Sequence, residues 1–141
     1  MPPNEARILL VEDNRDDVDL TLMAFRMNGI EVTVDVARDG AEALEYLSTR
    51  PAPTVVLLDL KLPRVDGVEV LRRLRSDERT RGIPVVVLTT SGEQRDLQQT
   101  ADMGIERYIR KPVSFSEFRE TTRQLAETWL RPGPDRRGAS A

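Results

Sequence analysis

Four places in the chain carry side chains suited to phosphoryl chemistry, and each stands at or just beyond the end of a short aliphatic run. Glu12 and Asp13 follow Ile8–Val11, Asp59 follows Val55–Leu58, Thr89 follows Val85–Leu88, and Lys111 comes soon after Tyr108-Ile109. Any one of these alone has a plainer reading. Asp and Asn before a helix are usually caps, an Asp after a strand is usually a turn residue, and threonines are common in strands for their propensity alone. Their coincidence at four strand ends carries the signal. Converging carboxylates repel: two unit charges 4 Å apart cost about 1 kcal/mol in water and about 4 kcal/mol at a near-surface dielectric. Relief comes from a hard divalent cation held by oxygen ligands, for which Mg²⁺ with several waters is the natural choice, and from the ammonium of Lys111. With those parts Asp59 is a nucleophile, the metal and Lys111 neutralise charge on a phosphoryl group, and the Thr89 hydroxyl donates to one of its oxygens.

The elements that must position these groups follow from periodicity. After the first run, Val18, Leu22 and Phe25 mark one face of a helix that Gly29 can stop. Ile30 to Ala37 alternates as a half-exposed strand, and Asp39-Gly40 is a turn signal. Ala41 to Leu47 is a short helix broken by Pro51 and Pro53. Val55–Leu58 is the continuous aliphatic run of a strand buried on both faces. Pro63 and Gly67 punctuate a loop before a third helix on Val68, Leu71 and Leu74. Pro84 opens the next buried run, Leu97 and Ala101 mark a fourth helix that Gly104 can end, and Tyr108-Ile109 is a fifth strand. Phe115, Phe118, Leu125 and Trp129 lie along one face of the last helix. Five strand–helix pairs with short loops predict an α/β doubly wound sandwich of flavodoxin-like (βα)5 form, with a parallel sheet in the order 2-1-3-4-5. In that order the first and third strands are neighbours, and ligands bind beyond the carboxyl ends of the strands. One domain over residues 5–131 and a disordered tail over 132–141, rich in Pro, Gly and Arg, account for the chain.

Composition narrows the chemistry further. The chain has 141 residues, with neither cysteine nor histidine. Disulfides, thiolate metal sites, a Ser–His triad and a phosphohistidine of its own are thereby excluded. The net charge of −3 gives no reason to expect a nucleic-acid partner. The aliphatic runs are too short to span a bilayer and the N-terminus lacks the apolar stretch of a signal peptide, so a soluble cytoplasmic protein is expected. The first loop is acidic rather than glycine-rich, which argues against a nucleotide or flavin fold of like topology.

With the segments ILLVEDN (8–14), VVLLDLKLPRVDG (55–67), IPVVVLTTS (83–91) and YIRKP (108–112), the sequence resembles the receiver domain of two-component response regulators from about Arg7 to Leu130. The resemblance implies that Asp59 is the phosphoacceptor, Asp13 a direct metal ligand and Glu12 one acting through water. It makes Lys61 the residue whose backbone carbonyl binds the metal, Thr89 the switch hydroxyl, Tyr108 the aromatic that swings inward, and Lys111 the phosphate-binding lysine, aimed by a cis Lys111–Pro112 peptide. Glu12 stands where Asp is common, and Lys61 where many receivers have Asn or Met. Asp16-Asp17, VVVLTTS and a last helix ending in Trp129-Leu130 resemble the single-domain regulators associated with bacterial phytochromes. That implies a sensor histidine kinase as partner, signalling through protein contacts, and a homodimer through the fourth helix, fifth strand and fifth helix, with Trp129 near an interface rimmed by Arg123 and Arg131. The protein is then a phosphoacceptor rather than an enzyme in the usual sense. A phosphorelay intermediate, passing phosphate on to a histidine phosphotransfer protein, would use the same residues. A degenerate docking module is disfavoured by the intact acidic set. A haloacid-dehalogenase-like phosphatase is disfavoured by Lys61, which occupies the place of its second acid.

Overall fold

The computed structural model describes residues 6–89, 98, 100–110 and 114–130. In chain order the elements are β1 (Arg7–Val11), α1 (Arg15–Met27), β2 (Thr33–Ala37), α2 (Gly40–Thr49), β3 (Val55–Asp59), α3 (Gly67–Ser76), β4 (Val85–Thr89), β5 (Arg107–Arg110) and α4 (Phe115–Leu125), which runs on as a π-type turn over Ala126–Leu130. The helix expected around Leu97 lies largely outside the described residues, although Gln98, Thr100 and Ala101 are helical. The sheet is parallel throughout, in the order β2-β1-β3-β4-β5, as the alternation of runs predicts.

Strand alternation sorts the core onto two faces. Leu9, Val11, Val56, Leu58, Val85 and Val87 pack against Ala43 and Leu47 of α2 and Val70, Leu71 and Leu74 of α3. Ile8, Leu10, Val55, Leu57, Val86 and Leu88 pack against Val18, Ala24 and Phe25 of α1 and Phe118 and Leu125 of α4. The central strands are therefore buried on both sides. Each such side chain contributes roughly 1.5–3 kcal/mol on burial, and together they hold the strand ends rigidly beneath the acidic residues.

Some boundaries differ from expectation for identifiable reasons. β2 begins at Thr33 rather than Ile30. Gly29, at φ 68°, ends α1 with Gly29 N–H donating to the Arg26 carbonyl and Ile30 N–H to that of Phe25. This left-handed stop occupies the first residues of the alternating stretch. Helix α2 is longer than Ala41 to Leu47. Asp39 caps it one residue earlier by accepting from Glu42 N–H at 2.8 Å, and Pro51 ends it only after Thr49. On α4 the inward row includes Thr122, which is fully buried and accepts from the Asn28 side chain of α1 at 2.9 Å. Edge strand β2 is tied down by Asp35, which accepts from the Tyr46 hydroxyl at 2.5 Å and from Arg7 at 3.0 Å. The Tyr46 bond, with Arg7 in support, outweighs burial and holds the Asp35 carboxyl below its usual range. Its contribution to stability is present above the ordinary carboxylate range and is lost as pH falls through that lowered value.

The far edge of the sheet is closed by Arg75 at the end of α3. Its guanidinium donates to the carbonyls of Met103 at 2.6 Å, Arg81 at 3.0 Å, Ile83 at 2.8 Å and Gly104 at 3.0 Å. Two segments, 81–83 and 103–104, converge on one fork of donors. Replacing Arg75 by Leu keeps most of the apolar stem and removes every donor. Urea denaturation should show a loss of about 1.5–3 kcal/mol, the range for hydrogen bonds made by charged groups. A change under about 0.5 kcal/mol, the level of ordinary surface substitutions, would show that water replaces the guanidinium at no cost.

Candidate metal and phosphoryl site

The carboxyl ends of β1 and β3 lie side by side, with Val11 paired to Leu58. Glu12 extends the ladder by one bond, its N–H donating to the Ala37 carbonyl at 2.9 Å. Its carboxylate then accepts from Asn14 N–H at 3.2 Å. Asn14 in turn caps α1 by accepting from Asp17 N–H at 3.0 Å. The capping reading of this stretch therefore holds for Asn14, and the acidic pair before it is left for the site.

Glu12, Asp13 and Asp59 each offer a carboxylate oxygen within 4.8 Å of the others. Glu12 is 1% and Asp59 4% exposed, whereas Asp13 faces solvent. The Lys61 N–H donates to Asp59 Oδ1 at 2.9 Å. That bond holds the carboxylate in one orientation and satisfies part of its demand for donors. The residues line an open cleft of about 540 Å³ together with Asn14, Arg15, Asp16, Asp17 and Lys61. Among the described residues that line it, five are acids and two are cations. The donor set fits a hard divalent cation. At metal–oxygen distances near 2.1 Å, octahedral ligands stand about 3–4.2 Å apart, so small adjustments suffice to close the three oxygens on one ion.

The structure thus brings Glu12, Asp13, Asp59 and the Lys61 amide together. Thr89 is placed by its backbone at the end of β4, one position beyond the partner of Asp59, which is Leu88. Lys111, Pro112 and the side chains of Thr89 and Trp129 lie outside what is described, and so does the expected Lys111–Pro112 geometry. Tyr108 sits on β5 opposite Val87. Its ring is 39% exposed and its hydroxyl lies 2.6 Å from that of Thr100.

Two glycines matter here for their lack of a side chain. A Cβ on Gly67 would overlap the Asp59 carbonyl and the Leu60 Cα, while Gly67 N–H donates to the Leu60 carbonyl at 3.0 Å. A Cβ on Gly40 would overlap the Val65 carbonyl. The loop after β3 is therefore clamped between the starts of α2 and α3. Asp66 caps α3 by accepting from Val68 N–H at 2.7 Å. Arg64 bears a left-handed φ of 69° beside an ion pair to Asp39 at 3.5 Å. In the sequence Gly67 only punctuates a loop with Pro63; that the glycine must lie against Asp59 requires the third dimension.

Residues 8–123 match the family model of the response regulator receiver domain. The chain is 43% identical over 136 residues to the probable methanogenesis regulatory protein FilR2 of Methanothrix harundinacea, across 90% of this chain and 88% of that one. The phosphorylated cyanobacterial phytochrome response regulator RcpA superposes with a TM-score of 0.81 at 36% identity, covering 89% of this chain and 94% of the other. The Mn²⁺-bound response regulator Rcp1 gives 0.80 at 31% identity, covering 89% and 95%.

Gly67→Ala tests the clamp. It should destabilise by about 1–3 kcal/mol, as overpacking does, and weaken divalent-metal binding because the displaced backbone carries Asp59. Gly82→Ala is the control. A Cβ there meets nothing within 4 Å, so its urea midpoint should stay within about 0.5 kcal/mol of wild type. Equal effects at the two positions would sink the assignment.

Proposed function

We propose that this chain, which belongs to the response regulator receiver family, takes a phosphoryl group onto Asp59 from a sensor histidine kinase and signals by the resulting change of shape. The observation that carries this reading is the convergence of three carboxylates at two adjacent strand ends, one of them buried and held by the Lys61 amide. In the transfer a carboxylate oxygen of Asp59 attacks phosphorus, the P–N bond of a phosphohistidine breaks, and its electron pair returns to the imidazole. Lys61 N–H, donating to Oδ1 at 2.9 Å, holds the carboxylate in one orientation for that attack. A bound Mg²⁺, ligated by Asp13, Asp59 and the Lys61 carbonyl with Glu12 through water, would supply charge neutralisation on the phosphoryl oxygens. Lys111 would neutralise a further oxygen, and Thr89 would donate its hydroxyl to another, with Tyr108 following it inward. The likeness to Rcp1, described as Mn²⁺-bound, supports a divalent ion here. The likeness to RcpA, described as a phytochrome response regulator, supports a phytochrome-type kinase as the donor. The receiver unit spans residues 5–131 and works in the cytoplasm, where such kinases present their phosphohistidine. Among the described residues, no helix is long and apolar enough to cross a membrane.

Phosphate-affinity electrophoresis after incubation with acetyl phosphate and Mg²⁺ tests this directly. Wild type should give one retarded band, Asp59→Asn none, and Asp13→Ala far less at equal Mg²⁺. Undiminished labelling of Asp59→Asn would overturn the site.

The same reading includes a twofold dimer on the β5 side. β5 is an edge strand, and Tyr108 is one of three exposed large hydrophobic side chains among the described residues, with Met23 and Met27 of α1. The outer face of α4 beside β5 is polar, and Gln124 accepts from Arg107 at 2.8 Å. Arg123 is bound within its own helix by Glu120 and Glu127, so it is not a spare cation for an aromatic rim; the interface would rest on re-pairing of these charges. Sedimentation at micromolar concentration should give twice 15.9 kDa. A monomer both alone and with beryllofluoride would remove the dimer from the proposal.

A further inference from the structure

The Tyr108 hydroxyl is held in a way that the phosphoryl chemistry does not explain. The ring stands partly in solvent at 39% exposure, yet its oxygen lies 2.6 Å from Thr100 Oγ1, and Thr100 is completely buried. Thr100 is helical, and its carbonyl accepts from Met103 N–H at 3.0 Å, at the turn that leads into β5. A hydroxyl on this buried residue is therefore aimed at the one polar atom of an aromatic on the next strand. The bond therefore fixes one position for the ring of a residue that otherwise borders solvent.

From this we infer that Thr100 is a positioning residue that latches Tyr108 in its outward arrangement and so sets how readily the protein adopts its phosphorylated conformation. The inference rests on the reading that Tyr108 moves when Asp59 is phosphorylated. The path between them is short: Asp59 pairs with Leu88 on β4, and Val87, the neighbour of Leu88, pairs with Tyr108 on β5. A ring that leaves the outward position must break the Thr100 bond. The bond thus acts only on the resting state, and its loss moves the equilibrium toward the other state by its own net worth. For one neutral hydrogen bond that is a factor of about three to ten. A phosphoryl mimic that prefers the inward state then binds more tightly by the same factor while that state is a minority.

The test uses the full chain with beryllofluoride and Mg²⁺ as the mimic. The chain has two tyrosines; labelling their ring Cζ with ¹³C gives two signals, and Tyr108→Phe identifies that of Tyr108. Thr100→Val keeps the shape and removes the hydroxyl, whereas Thr100→Ser keeps the hydroxyl. Thr100→Val should move the resting Tyr108 signal toward its beryllofluoride position and tighten beryllofluoride binding about three- to tenfold. Thr100→Ser should behave as wild type in both measurements. In a Tyr108→Phe background, Thr100→Val should leave the affinity unchanged within about twofold, since the bond is already gone. A wild-type Tyr108 signal that responds to beryllofluoride, with Thr100→Val identical to wild type in signal and affinity, would overturn the latch alone. An equal affinity gain with and without the tyrosine hydroxyl would also overturn it, by showing an effect of packing. A wild-type Tyr108 signal indifferent to bound beryllofluoride would overturn the moving tyrosine, and the latch with it. Failure of wild type to bind beryllofluoride at all would overturn the phosphoacceptor reading first.

Discussion

The rest of the structure depends on like charges brought together at two adjacent strand ends. Glu12 and Asp59 are almost wholly buried and lie within reach of each other and of Asp13. At such separations repulsion amounts to a few kcal/mol at a near-surface dielectric, a large share of the stability of a small domain. Two aliphatic strands buried on both faces make the arrangement tolerable. They place the acids by pairing, and the burial that secures the strands is far larger than the repulsion at their ends. Backbone donors, Asn14 N–H to Glu12 and Lys61 N–H to Asp59, take up part of the rest. The resulting set of three carboxylate oxygens fits a divalent cation, as the function proposed above requires.

The loop after β3 shows how the same constraint reaches outward. Its carbonyls meet the starts of two helices at Gly40 and Gly67, where no side chain fits. Such close approach leaves the backbone around Asp59 little freedom, which is what the phosphoacceptor role proposed for it would require. Arg64 adopts a left-handed φ within this loop. A non-glycine residue in that region costs about 1–2 kcal/mol, and the clamps on either side hold it there. Local strain near a reactive carboxylate is common where surrounding contacts over-determine the loop.

How much of this could be read from the chain depends on range. The sheet order, the helix faces and the acidic set were legible because each rests on local periodicity and on the rule that sites gather at carboxyl ends of parallel strands. Thr122 escaped because a polar residue in an apolar row reads as surface until the Asn28 side chain is seen to meet it. Arg75 escaped for the opposite reason. An arginine on an amphipathic helix reads as a solvated face, and nothing local announces that four carbonyls from distant segments surround it. Gly67 punctuates a loop in the sequence whether or not another backbone presses against it. The start of β2 was misplaced because the left-handed stop at Gly29 uses residues whose alternation alone suggests strand.

The placement of polar groups along β3, β4 and β5 suggests why a chemical event at one strand end can be felt at the sheet edge. Asp59 is fixed against Leu88, Val87 against Tyr108, and both contacts are backbone pairings that cannot slip without turning side chains to the other face. The strands therefore stay in place, and any response must come from groups free to choose between partners. In the proposal above Tyr108 is such a group: it is partly exposed, and among the described residues its hydroxyl meets that of Thr100. A close-packed core transmits small displacements poorly as continuous deformation but well as a choice between discrete arrangements. A hydroxyl bond of modest strength at the edge of such a core is suited to set that choice. In the proposal above it would have to yield to a phosphoryl group on Asp59, and at a factor of about three to ten in population it is weak enough to do so.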